Sequence, residues 1–439
     1  MSLPEFLLLQ LVSSLRYEEL DREKSPLIDV LFDNVSTTAK LSSKFYWNVA
    51  VETENEIPQI KYWYKDILTW FIEMLKITKK DEIFSHIMKE INLRDFLKEA
   101  FEKCVAPERN SATMTNKLKE HLSSESGLRD IIADEYFLFE PSRTIKRFLS
   151  EKTRVFKSNT HPIRLCFEDT LGRPFSIMYK YSDDLRQDQL IMQVISLMDV
   201  LLRGLNVDLR LTTYNILVFS SEDGMLEFVP DSITLQDVFE NYEDDMSKYL
   251  IHISNARTAA LDEKNPRMVP SASKKLSSIR TDVFNNYLES CASYCVITYL
   301  LGIGDRHLEN LLIDREGKLF HIDFGYAMGE DPKPYPPPFK LNKPMINGKL
   351  NSLRGQVQRP IHQPLRDLLP LSPQIRQGDP QPHAPHDRLQ SHRQPKEGQE
   401  TRDRGRQGHG GEVPAREGRS RGRGLLQDHH QQVGRSGAH

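Results

Sequence analysis

The chain has no apolar run approaching the ~20 residues that a bilayer-spanning helix needs, so any membrane contact is expected at a surface. Cysteine is scarce: four among 439 residues, at 104, 166, 291 and 295, with no Cys-x-x-Cys pair. That excludes a disulfide scaffold and argues against zinc, since Cys291 and Cys295 have no His ligands nearby. Four reduced, buried thiols in a cytosolic protein are the expectation. The opening "PEFLLLQLVSSL" lacks a basic lead and a small-residue cleavage site, and Glu5 and Gln10 interrupt it. It reads as a core helix and not as a signal segment.

Aromatics stop at Phe339 and asparagines at Asn351, beyond which Pro, Gln, Gly, His and Arg dominate with one lysine, Lys396. Such a segment buries too little apolar surface to offset its ordering entropy. Residues 352–439 are therefore expected as a disordered, low-complexity basic tail, with a composition closer to out-of-frame translation than to a folded domain. The tail carries 15 Lys+Arg against 9 Asp+Glu, the preceding residues 44 against 53, so the net charge of -3 hides an asymmetry. Without aromatic platforms the basic tail does not indicate a nucleic-acid partner.

What is present divides into two patterns. Residues 1–138 read as helix after helix: "YKDILTWFIEMLKI" places Ile67, Leu68, Phe71, Met74 and Leu75 on one stripe, and "SPLIDVLFDNV" opens on a Ser-Pro start signal. Residues 139–154 read as a proline-marked linker. Short β-type runs follow, "TRVFKSN", "IRLCFED", "PFSIMYKY", "TYNILVFSS" and "GMLEFV", separated by turns such as "DTLGRP". One long helix interrupts them, with Leu190, Ile191, Val194, Ile195 and Met198 on its expected apolar face and Asp183 or Asp184 as cap. A small sheet crossed by one helix is the layout of a kinase N-lobe. Residues 240–280 turn polar and read as a mobile insertion. The expected fold class is α+β: a helical domain, then a bilobal kinase-like domain over 155–351, its N-lobe 155–235 and a partial C-lobe 236–351.

The chemistry concentrates in "GDRHLENLLIDREGKLFHIDFGYAMGEDPKPYPPPFKLNK", residues 304–343. Phosphoryl transfer needs a metal ion held against phosphates, a group to take the acceptor's proton, and cations on the transferring charge. Asp305 precedes Asn310 by five residues, as in the protein-kinase catalytic loop. Asn310 and Asp323 flank "LLIDREGKLFHI", read as a hairpin that brings an amide oxygen and a carboxylate together, a hard donor pair for magnesium. The order Asp-Arg-His puts His307 inside the loop, as general base or as a γ-phosphate contact.

These residues, with "YKYSDDLRQDQLIMQVISLMDVLLR" and "CASYCVITYLLGIGDRHLENLL", resemble the phosphatidylinositol 3-kinase family, most nearly its class III, vacuolar-sorting type. The resemblance covers roughly residues 1–350 and is strong from about 176, with "LLLQLVSSLRYE" and "KFYWNVAVE" similar to that family's helical domain. It implies ATP with Mg2+ or Mn2+, and catalytic roles for Asp305, Arg306 and His307. It implies metal ligation by Asn310 and Asp323. Lys180 resembles the lysine on the α- and β-phosphates, and Asp188 the acid that orients it. Lys157 and Ser158 in "FKSNTH" resemble the phosphate loop, which has no Gly-x-Gly, so its backbone amides and the serine hydroxyl must cradle phosphate. Glu227, Phe228 and Val229 look like the hinge on adenine, and Ile322 completes the nucleotide set. Tyr326, Lys333, Lys340 and Lys343 lie in the substrate loop, whose sparse lysines suit plain phosphatidylinositol.

The resemblance further implies phosphatidylinositol in membranes as substrate, regulatory subunits (a pseudokinase scaffold and coiled-coil autophagy-type subunits), and a peripheral place on endosomal and autophagic membranes. The family's N-terminal lipid-binding-type β-domain and its final amphipathic helix are not legible, so the chain is expected to be shortened at its N-terminus with an incomplete C-lobe. Two other readings stand beside this one: a phosphatidylinositol 4-kinase or related protein kinase, and a catalytically impaired interaction protein, because the C-lobe looks truncated.

Overall fold

A computed structural model of the chain describes residues 5–124, 128, 136–137, 139–264, 278–337 and 345. The expected tail, Lys340, Lys343 and the later part of the expected insertion lie outside these residues.

The helical part begins with α1 (Glu5–Ser14), α2 (Pro26–Val35), α3 (Ala39–Glu52) and α4 (Pro58–Ile77), followed by α5 (Asp81–Cys104) and α6 (Ser111–Ser124). Pro26 and Pro58 sit in the first turn of their helices, where a missing N–H costs nothing. Ile67, Phe71 and Leu75 are buried as their spacing predicts, with Leu68 and Met74 partly buried beside them. The rings of Phe32, Phe45 and Phe71 meet at centroid distances of 4.8–5.8 Å in this core.

A sheet of β1 (Tyr136–Phe137), β2 (Glu140–Phe148), β3 (Arg154–Val155), β4 (Ile163–Asp169), β5 (Pro174–Tyr181), β6 (Ile216–Val218) and β7 (Asp223–Glu227) follows. Its order is β1-β2-β4-β5-β7-β6, with β3 also on β4, and every pairing is antiparallel. The expected linker 139–154 is thus mostly strand: Pro141 lies near the start of β2, where a lost N–H is tolerated, and Phe148 stacks against Phe167 opposite it (5.5 Å). On one face α5 and α6 bury Phe96, Leu97, Met114 and Leu118 against Leu165, Phe167, Ile177 and Tyr179. The long helix α7 (Arg186–Gly204) covers the other side with Ile191, Met192 and Ile195. Leu190, expected in that stripe, is instead 38% exposed, because the stripe turns toward Met192. The N-cap of α7 is Leu185, which makes no side-chain cap, so neither Asp183 nor Asp184 takes the cap position expected; the Asp184 carboxylate accepts the Arg186 N–H (3.1 Å) from one residue further out.

The second lobe holds a smaller sheet, β10-β9-β8, from β8 (Ile233–Thr234), β9 (Leu311–Ile313) and β10 (Leu319–His321). Around it stand α8 (Leu235–Asn241), α9 (Met246–Lys264) and α10 (Thr281–Leu300). The start of the expected mobile insertion is therefore helix. Met246, Tyr249, Leu250 and Ile253 are buried at helical spacing, and the polar composition that suggested a loop belongs to the exposed face. Likewise α10 is buried along Val283–Thr298 apart from half-buried positions, and exposure is confined to Thr281 at its start and to Tyr299 (49%) and Leu300 (60%) at its end. All four cysteines are buried and none forms a disulfide.

Candidate active site

The site is built where α10 ends and the β9–β10 hairpin turns back. Asp314 opens the hairpin turn by accepting the Glu316 and Lys318 N–H groups (2.8 and 2.9 Å). Leu311 pairs with His321, so Asn310 and Ile322 emerge together, and the Ile322 N–H donates to the Asn310 carbonyl at 3.1 Å. That brings the Asn and the Asp-Phe-Gly together as the hairpin reading expects. Asp305 and Asp323 both adopt left-handed backbone (φ 48° and 60°), which costs a non-glycine residue energy and requires outside support.

Arg306 supplies much of that support. Its buried guanidinium donates to the carbonyls of Gly304 (2.6 Å), Ile322 (2.7 Å) and Asp323, and lies over the Phe324 ring. With its donors turned to the backbone, Arg306 is a positioning residue, and the catalytic role expected of it does not fit this geometry. The Asp-Phe-Gly is also held from α7: the Phe324 N–H donates to Asp188 Oδ1 (3.0 Å), and Gln187 Nε2 donates to the carbonyls of Phe324 (2.7 Å) and Gly325 (3.0 Å).

Lys180, on β5, donates to Asp183 at 2.8 Å, not to Asp188. Burial opposes its charge, but Asp183, Asp188 and Asp323 outweigh burial and hold the ammonium above its ordinary range. Burial pushes Asp188 up to about 6, against the pull of Lys180 and the Phe324 N–H. Asp188 thus supports the Asp-Phe-Gly backbone and shares the lysine's field, while Asp183 makes the ion pair.

The donor set fits a divalent cation. Asn310 Nδ2 is committed to the Asp305 carbonyl (3.0 Å), which leaves its oxygen as the available donor, and the Asp323 side chain is exposed. His307 is exposed, 3.8 Å from an Asp305 oxygen and 4.0 Å from a Glu309 oxygen. Its ring is open to an incoming hydroxyl.

The remaining expected residues line the edges. Lys157 and Ser158 are exposed at the β3–β4 tip, but the Ser158 N–H donates to the Phe156 carbonyl (3.1 Å) and so is turned inward from phosphate. In the hinge the Phe228 N–H is committed to the Ser176 carbonyl (3.1 Å), and Arg164 lies 4.2 Å over the Phe228 ring. Lys333 and Tyr326 are exposed in the loop, together with Met328 and Tyr335, the last two 66% and 95% exposed.

The base of that loop is pinned. Gly304 N–H donates to the Tyr326 carbonyl, Met328 N–H to Leu301 and Gly329 N–H to Gly302, each at 2.9 Å. Asp331 accepts the Asp305 N–H (3.3 Å) and the Lys333 N–H (2.9 Å). Gln187, Asp331 and the two glycines were not singled out from the sequence, and Asp183 was read only as a candidate helix cap. "DDLRQD", "GIGD" and "GEDPK" carry them, but which acid meets the lysine is set by how β5 enters α7.

No helix among the described residues is long and apolar enough to cross a membrane. Residues 174–366 match the family described as phosphatidylinositol 3- and 4-kinase, and residues 3–83 the phosphoinositide 3-kinase accessory (PIK) domain. The chain is 36% identical over 326 residues to the phosphatidylinositol 3-kinase VPS34 of Saccharomyces cerevisiae, covering 73% of this chain and 34% of that protein. It is 35% identical over 353 residues to the root isoform of phosphatidylinositol 3-kinase of Glycine max (77% and 40%). It is 34% identical over 357 residues to the phosphatidylinositol 3-kinase pik3 of Schizosaccharomyces pombe (78% and 41%). The chain therefore spans between a third and about two fifths of the length of these relatives.

Proposed function

Because the chain belongs to the phosphatidylinositol 3- and 4-kinase family, we propose that it transfers the γ-phosphoryl group of ATP to the 3-hydroxyl of phosphatidylinositol. The relatives above are named for that activity, and the observation that carries the reading is that the β9–β10 hairpin brings Asn310 beside the Asp-Phe-Gly while Lys180 lies in the field of Asp323. Family membership implies ATP and a divalent metal; the all-oxygen donors favour Mg2+.

In this reading Asn310 and Asp323 would hold the cation, and the chemistry it would supply there is neutralisation of charge on the transferring phosphoryl group. Lys180 places its ammonium on the phosphates, having left or shared its pair with Asp183. His307 takes the acceptor hydroxyl's proton at a ring nitrogen, beside the Asp305 carboxylate (3.8 Å). Arg306, Asp188 and Gln187 keep the Asp-Phe-Gly in place throughout. Phe228 and Val229 border adenine, and Lys157 with Ser158 contribute side chains to phosphate.

The exposed Tyr326, Met328 and Tyr335 give the substrate loop an apolar edge for a lipid surface, and the loop sequence supplies Lys333, Lys340 and Lys343 for a headgroup that carries one phosphodiester. This reading goes with a peripheral place on endosomal and autophagic membranes and with regulatory subunits of the scaffold and coiled-coil kinds, as the family resemblance implies. The test is incubation of the chain with labelled ATP, Mg2+ and phosphatidylinositol vesicles, followed by separation of the products. The 3-phosphate is expected and Asp323→Asn should abolish it. A 4-phosphate product would sink the assigned position, and labelled protein without labelled lipid would sink the lipid substrate.

A further inference from the structure

Asp223 on β7 is fully buried, yet each of its oxygens has two partners. Arg94 of α5 donates through Nη2 to Oδ1 (3.0 Å) and through Nε to Oδ2 (2.9 Å). Ser220 adds a hydroxyl to Oδ1, and Tyr179 adds its hydroxyl to Oδ2 at 3.1 Å. Tyr179 immediately precedes Lys180 on β5, and β7 pairs Gly224 with Lys180 and Asp223 with Tyr181. A helix of the N-terminal part thus grips the strand pair that carries the phosphate lysine.

A second grip lies behind the hinge. Lys44 of α3 pairs with Glu5 of α1 and lies 3.5 Å from the side-chain oxygen of Asn215. Asn215 Nδ2 in turn donates to Glu227 Oε2 (3.0 Å), and the Glu227 N–H donates to the Asn215 carbonyl (2.9 Å). A cation on one side and a carboxylate on the other fix the orientation of the Asn215 amide. Between the grips, the Trp47 and Phe219 rings pack at 4.4 Å.

Both ties reach the sheet where the proposed nucleotide site depends on it: one under Lys180, one at Glu227. We propose that Arg94 and Lys44 are positioning residues of the nucleotide site, through which the helical part sets the spacing between the Lys180 strand and the hinge. This rests on the kinase reading above. The bidentate Arg94 fork is directional and its partner's lone pairs are filled, so the tie admits one geometry.

The test measures Mg-ATP affinity by calorimetry on the full chain. Arg94→Met alone would leave a buried carboxylate unpaired and threatens folding, so it is combined with Asp223→Asn. That pair, and separately Lys44→Met, should weaken Mg-ATP by about five-fold or more, the lower end of typical coupling between sites. Lys44→Arg should restore affinity. The control is Leu75→Ala, a cavity in the helical core away from the sheet, which should lower the melting temperature and leave Mg-ATP affinity unchanged. Unchanged affinity in both tie variants would overturn the proposal, as would an equal loss in Leu75→Ala. A wild-type chain that binds no nucleotide would sink the kinase reading instead. Hydrogen exchange at Lys180 and Phe228 then decides: the tie variants must speed it where Leu75→Ala does not, and equal rates overturn the ties.

Discussion

Arg306 Nη1 donates to the Ile322 carbonyl at 2.7 Å, so the catalytic loop and the Asp-Phe-Gly share one buried cation. The planar fork reaches Gly304, Ile322 and Asp323 together; an ammonium is a point donor and cannot reproduce that spread. Arg306→Lys should therefore cost about 3 kcal/mol of stability, two charged hydrogen bonds' worth. It should also lower single-turnover phosphoryl transfer while leaving nucleotide affinity nearly unchanged. Wild-type turnover in this variant would remove the positioning role.

Asp323→Asn and His307→Ala separate metal ligation from proton transfer. Asp323 is exposed and its Oδ1 receives only a long contact from Gly325 N–H (3.4 Å), so the amide should leave the melting temperature in place while phosphoryl transfer disappears. His307→Ala should cut the rate by roughly 10²–10⁴-fold, the usual scale for losing a general base. Thermal melts and lipid-kinase rates on the same samples check both, and full turnover in either variant refutes its assigned role.

Much of this site was legible because its chemistry is local. Asn310 and Asp323 meet through one hairpin, and the turn residues Asp314 to Gly317 announce that hairpin without tertiary information. The helical stripe of α4 was readable for the same reason. Contacts between distant segments were not. The pairing of Lys180 with Asp183 and the turning of Asp188 toward Phe324 depend on how β5 meets α7, and both acids stand in the same "DDLRQD". Helix α9 was missed because a wide polar face masked four apolar positions at helical spacing. Strand β2 was missed because Pro141 reads as a break until its place near the strand's start is known.

The two glycines before Asp305 make a third prediction. A Cβ on Gly304 would lie 2.2 Å from the Glu330 carbonyl oxygen, and one on Gly302 (φ +56°) 2.4 Å from Gly329 N. Backbone is on the far side in both cases, so nothing flexible gives way. Gly304→Ala should push residues 326–331 off the catalytic loop. Lipid phosphorylation should fall steeply, with Mg-ATP affinity changed less because the proposed contacts at Lys180 and Phe228 lie on the other lobe. Asp331→Ala, which removes the carboxylate on the Asp305 N–H, should act in the same direction and less. Proteolysis within the loop would rise in both. Gly304→Ala with normal lipid turnover would show that the pinned base is not needed.

The last prediction concerns pH. Burial lowers Lys44 to about 8, with Glu227 pulling the other way; Glu5, Lys40 and Asn215 complete its surroundings. In the unfolded chain the lysine keeps its proton up to its ordinary value of 10.5. Between about 8 and 10.5 the unfolded state therefore binds more protons than the folded one, and stability attributable to this residue rises with pH across that window. Below 8 the cost of burying the charge is present in full, of order 3 kcal/mol by the shift. Other groups titrate in the same range, so the readout is a difference. Lys44→Met keeps the stem and removes the proton, and denaturant melts of both chains from pH 7 to 10 should converge as pH rises, the variant being the more stable at pH 7. A difference that stays flat with pH, or one that widens, would show that Lys44 keeps an ordinary lysine's proton and that its ties to Glu5 and Asn215 compensate its burial.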